Sequence, residues 1–296
     1  MAVYLRAVGF SSLEIEDVSK IKDKVLFHPE KSQTVGLDDG RIFAQYCRSV
    51  GEGIGVRLSG FLNEKERLIK PALIPHVEAD PYMEIKTPVC ELHVIGDDLI
   101  ITYEDNSSDN EIAFSLQSRL AYEQDGKAFA DVLQNKDVEK CINVSGISVF
   151  GTVLLSVAKE ESDEMDEEER FYNNLVIRSK SGDLEARELL TVYEEQSLDI
   201  IQERLKEEDL FSVVDSYFLP VLHTEDVSLY DLLGTIKKVS EVLNTESGEL
   251  VYKLDINTTG VDLQIFINRE DLLGVPIEGM RFMGNCRLQG DVKILG

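Results

Sequence analysis

The chain has 296 residues, 56 acidic side chains against 30 basic ones for a formal net charge of −26, and an apolar share of 43%. That apolar share is enough for a sizeable packed core, which excludes a chain disordered throughout. The acidic field repels polyanions, whereas nucleic-acid binders rely on neutralising phosphate, so nucleic acid is the least expected partner.

In chain order, Val3–Val8 is predicted to be a strand and Ser11–Val25 a helix. Ser11 and Glu14 have the spacing of a capping box, and Leu13, Ile15, Val18, Ile21 and Val25 form an apolar stripe. Residues 41–122 change to short β-rich runs, among them Arg57–Leu62, Cys90–Ile95, Leu99–Tyr103 and Glu111–Leu116. Gly96-Asp97-Asp98 and Asp105–Asp109 are the expected hairpin tips. Lys127–Leu133 reads as a short helix and Cys141–Val157 as strand. Between Lys159 and Arg170 stand eight acids in twelve residues, a density that suits a linker. From Gly182 to Leu219 the period turns helical, with Leu198, Ile201 and Leu205 on one face and Pro220 as the stop. The last third returns to β: Gly234–Leu243, then Tyr252–Ile256 and Val261–Ile267 joined by Asn257-Thr-Thr-Gly260. Along Met280–Ile294 every even position is apolar or glycine, which predicts a long strand with one buried and one wet face.

Motifs with chemistry are scarce. Gly51-Glu-Gly-Ile-Gly55 precedes a strand-like segment and lacks Gly-Lys-Ser/Thr, so it reads as a hairpin and not as a phosphate loop. The histidines His28, His76, His93 and His223 show no metal-protease or nucleophile spacing; His223, near Glu225 and Asp226, is the most suggestive chemically. Cys47, Cys90, Cys141 and Cys286 are scattered without Cys-x-x-Cys pairs, so neither a metal nor a cofactor is expected, and reduced thiols fit a cytoplasmic protein. The apolar run Val149–Val157 is broken by Gly151, Thr152 and Ser156 and is far shorter than the roughly 20 residues of a membrane span. The opening Met1-Ala-Val-Tyr-Leu-Arg6 does not read as a secretory leader.

One surface stands out. Arg281, Asn285, Arg287, Gln289 and Lys293 share the predicted wet face of the last strand, a cationic strip suited to an acidic peptide, an anion or a second copy of the chain. Further signals come from Tyr4-Leu-Arg-Ala-Val-Gly-Phe10, Glu208–Pro220, Asn268–Pro276, Gly279–Gly284 and Leu288-Gln-Gly290. These segments resemble an uncharacterised bacterial family, a domain of unknown function, at both ends of the chain. Arg287 stands where the resemblance leads one to expect a large aromatic. The likeness implies a bacterial cytoplasmic setting and brings no activity.

The expected fold is α+β: a mostly antiparallel α+β domain at 1–158, an acidic linker at 159–181, and central helices with a small antiparallel β-barrel-like, OB-like unit at 182–296. The expected function is binding or assembly without catalysis, through a protein partner or self-association. The alternative is an enzyme or small-ligand binder with carboxylates in an inter-domain cleft, and nucleic-acid binding by the C-terminal unit comes third.

Overall fold

A computed structural model describes residues 2–11, 15–69, 71–87, 89–105, 111–156, 171–172, 175, 178–179, 183–193, 214–222 and 224–295. A 3-10 turn at Ala2–Val8 and helix α1 (Ile15–Phe27) open the chain. Strands β1 (Lys31–Gly36), β2 (Ile42–Gly51), β3 (Ile54–Phe61) and β4 (Ala72–Val77) follow as an antiparallel meander. Then come β5 (Ile85–Thr87), β6 (Glu91–Ile95), β7 (Asp98–Glu104) and β8 (Glu111–Leu116), with helices α2 (Leu120–Gln124) and α3 (Gly126–Gln134). Strands β9 (Lys140–Ser148), β10 (Gly151–Leu154) and β11 (Tyr217–Pro220) lead to β12 (Leu229–Leu243), β13 (Leu250–Thr258) and β14 (Val261–Asn268). Last are β15 (Leu272–Leu273) and β16 (Arg281–Ile294).

Strands β5–β16 form one large sheet along β11-β12-β13-β14-β9-β16-β8-β7-β6, with β5, β10 and β15 beside it. Because β12 pairs with both β13 and β16, the pairings β12-β13-β14-β9-β16 return to their start, a partial barrel-like closure. Local chemistry explains the turns. Thr259 (φ 47°) and Gly260 (φ 82°) both take left-handed backbone at the β13–β14 tip, as a primed hairpin turn requires. Gly290 serves a different need, because a Cβ there would lie 2.3 Å from the Asn143 carbonyl oxygen where β16 meets β9. Most neighbours are antiparallel; β14–β9, β16–β8 and β10–β15 are parallel.

The α+β expectation is met by a sheet-rich chain, with particular corrections. The predicted opening strand is the 3-10 turn, whose Leu5 and Val8 eclipse at i, i+3 and are both buried. The helix expected to end at Pro220 does not extend there. Tyr217–Pro220 is strand β11, whose aromatic and apolar side chains favour pairing with β12, and proline is tolerated because β11 is an edge. Residues 184–193 are helical, while Leu198, Ile201 and Leu205, like the acidic block 159–170, lie outside the described residues.

The expected separation into an N-terminal and a C-terminal domain also changes. One compact unit comprises Met1–Leu155 with Ser216–Gly296, and a second comprises Ser156–Asp215. The cause is ladder pairing: β9, from the N-terminal half, lies between the C-terminal strands β14 and β16. Two apolar clusters fill the larger unit. One lines the large sheet, with Ile101, Phe114, Ile142, Leu254, Phe282 and Leu288. The other joins the four-stranded sheet to the N-terminal turn and to β14, through Leu5, Val8, Val56, Leu58, Val77 and Phe266.

Candidate functional site

Within the larger unit, β3 supplies an anomaly. Its alternation places Ile54, Val56 and Leu58 in the apolar cluster and turns Arg57 to the opposite face of the sheet. Arg57 is only 2% exposed. Among the described residues its Nε has no hydrogen-bond partner, and no carboxylate lies within ion-pair distance of its guanidinium. Burial pulls its pKa below the ordinary value, and the charge of Asp291 offsets this only in part. Arginine nevertheless keeps its proton, so the site holds a buried cation short of a counterion.

Arg57 lines a cavity of about 430 Å³ together with Arg119, Arg287, Gln117 and Gln289. Arg119 precedes α2 and is held by Glu123 at 2.9 Å and by the Asp97 carbonyl at 2.8 Å, yet its Nε is buried without a partner. Gln289, on β16, is 4% exposed, and its Nε2 also lacks a partner. Arg287 differs: its Nε donates to Asp226 at 2.7 Å and its guanidinium lies 5.9 Å from the centre of the Tyr4 ring. Gln117 fastens the wall to β4, with Oε1 accepting from Val77 N at 3.3 Å and Nε2 donating to Val77 O at 2.7 Å. The same Oε1 lies 2.7 Å from His76 Nδ1. Burial, then the Arg57 charge, lowers the His76 pKa to about 4. Burial pushes Asp291 above the ordinary carboxylate range despite the nearby Arg57. Apolar side chains complete the lining, including Phe43, Phe61, Ile74, Leu99 and Ile147. Exposed Ile69 and Asp97 are where the lining meets solvent.

The predicted cationic strip is not a wet face. Arg281, Arg287 and Gln289 are buried, and only Asn285 and Lys293 are exposed. β16 has partners on both edges, and elements from elsewhere in the chain cover its odd-numbered side as well. Arg281 Nε donates to the Leu155 carbonyl at 3.0 Å, Asn285 Nδ2 to Asp231 at 2.6 Å, and Lys293 pairs with Glu84. Two strip residues, Arg287 and Gln289, instead meet in the cavity. The Gly51–Gly55 segment is the β2–β3 hairpin, as expected. His93 bonds to Thr102 across β6–β7, and His223 lies outside the described residues.

Arg57 and Arg119 were not singled out in the sequence. The available signal was an arginine inside the apolar run Ile54-Gly-Val-Arg-Leu58, where a wet strand face would carry further polar residues. Among the described residues no group of three or more His, Cys, Asp or Glu could hold a metal ion, and no helix is long and apolar enough to cross a membrane. No curated protein and no solved structure matches the chain. A family profile does: with residues 5–290 matched, the chain belongs to DUF3881, a domain of unknown function described from a gene of E. rectale.

Proposed function

We propose that this protein binds a small anionic molecule in the cavity lined by Arg57, Arg119 and Gln289, and that it acts by binding and not by catalysis. The observation that carries the reading is Arg57: a guanidinium buried without an ion-pair partner, its charge offset only in part by Asp291, costs several kcal/mol, by order of magnitude, unless a ligand compensates it. The other unpartnered groups of the lining, Arg119 Nε and Gln289 Nε2, are donors too, so the complementary ligand presents acceptors. The scaffold in this reading is the five-strand circuit, taken as an OB-like barrel, with the four-stranded sheet against it. A reducing cytoplasmic setting is part of the proposal and is supported by four free cysteines.

The test is thermal unfolding of the intact protein in acetate, butyrate or inorganic phosphate against chloride at equal ionic strength, beside Arg57→Met. Stabilisation by at least one of these anions, absent in the variant, supports the reading. An identical response in both proteins, or none in either, overturns it.

A further inference from the structure

We infer that the ligand is an organic monoanion, a single carboxylate on an apolar body, with Arg57 as its counterion. This rests on the anion-binding reading and adds the ligand class. The charge balance of the lining gives the first argument. Arg119 is already committed to Glu123 and Arg287 to Asp226, at 2.9 and 2.7 Å. Among the described residues Arg57 is the guanidinium of the lining without an ion-pair partner, and Asp291 offsets its charge only in part, so a single negative charge is enough to complete the site. Asp97 and Asp98 also belong to the lining and repel a second charge.

Size and chemistry of the walls give the second argument. A carboxylate head displaces only a few water volumes of roughly 30 Å³ each. The cavity is about 430 Å³, so most of it is left for something other than the charged head. Phe43, Leu99, Leu116 and Ile147 are buried side chains of that lining, and Phe43 packs edge-on to Phe61 at 5.4 Å between ring centres. An inorganic ion would leave these walls unfilled. A neutral apolar molecule would leave the guanidinium uncompensated, and a polyanion would meet the two aspartates. The unpartnered nitrogens of Arg57, Arg119 and Gln289 match the acceptor capacity of one carboxylate, which has two oxygens and about four lone-pair sites.

Isothermal titration of the intact protein with straight-chain monocarboxylates from acetate to decanoate tests this, with the primary amide of the tightest acid and inorganic phosphate alongside. Affinity should climb about threefold to fourfold per methylene until the cavity is full, by the usual transfer free energy of a buried CH₂. The amide should bind at least tenfold more weakly than its acid, and Arg57→Met should remove that difference. The chain-length series needs no variant, so it stands even if Arg57→Met folds poorly. Acetate and phosphate binding as tightly as the longer acids, with the response lost in Arg57→Met, would overturn the apolar body and leave the anion site intact. Equal affinity for acid and amide, or no binding by any member, would overturn both.

Discussion

Lys253 on β13 and Arg57 on β3 are both cations sealed within strands, 6% and 2% exposed. Their surroundings have opposite character. Lys253 Nζ reaches Asp80 at 2.9 Å, and Gln264 Nε2 donates to the other Asp80 oxygen at 3.1 Å and to Asp255 at 2.7 Å. The Tyr82 hydroxyl donates to the second Asp255 oxygen at 2.6 Å. Burial pushes Asp80 upward, but the bonds from Lys253 and Gln264 outweigh it and hold the carboxyl below its ordinary range. Every acceptor in that cluster is engaged, and it fastens the segment before β5 to β13 and β14. Around Arg57 the donors outnumber their partners. A complete network of buried charge specifies structure, whereas an incomplete one beside a cavity stores binding capacity for a ligand of matching charge.

Breaking the complete side should have the largest effect. Lys253→Met strands Asp80 without its cation, and a buried pair broken in this way costs about 3 kcal/mol. Urea unfolding should show that loss in the midpoint, and a cost under about 1 kcal/mol would mean that the network is not a fastening. Acid separates the two regions next. His76 has a folded-state pKa of about 4, below its ordinary 6.5, so the folded protein favours the neutral ring. As pH falls from 6.5 towards 4 the unfolded chain binds the proton first, and stability drops by up to about 3 kcal/mol. His76→Gln should flatten urea midpoints over that window. Asp80 has the opposite sign, with a depressed carboxyl whose contribution persists above its ordinary pKa and is lost only below about pH 4. A wild-type acid limb that begins only below pH 4 would remove the His76 contribution.

The two clusters also differ in how legible they were. Strict alternation located β16, the Asn257–Gly260 tip and the Gly51–Gly55 hairpin, because period and turn chemistry are local properties. What covers a strand face is not local. The odd positions of β16 have the polarity of a wet face, yet Arg281 and Arg287 are buried because Leu155, Tyr4 and Asp226, remote in sequence, close over them. The same limitation split one sheet into two domains, since the parallel β14–β9 pairing joins residues more than a hundred positions apart. The Val3–Val8 segment has a strand-like composition, and tertiary packing of Leu5 and Val8 turns it into a 3-10 coil. Arg57 is not legible in this way, because a single arginine in an apolar strand has no spacing to detect.

The smallest expected effect sharpens the comparison most, because its sign reverses. Removing the Lys253 charge breaks a partnership, whereas removing the Arg57 charge relieves a buried cation that Asp291 offsets only in part. Arg57→Met keeps the length of the side chain and its packing against the strand, and it discards the desolvated guanidinium. In the absence of added anions the variant should be more stable than the parent, by about 1 kcal/mol. For a protein of this size that corresponds to about 2 °C in melting temperature. Saturating monocarboxylate should then raise the parent above the variant, since only the parent holds the counterion. A variant less stable than the parent under both conditions would show that Arg57 is a structural group like Lys253, and the contrast between the two regions would disappear.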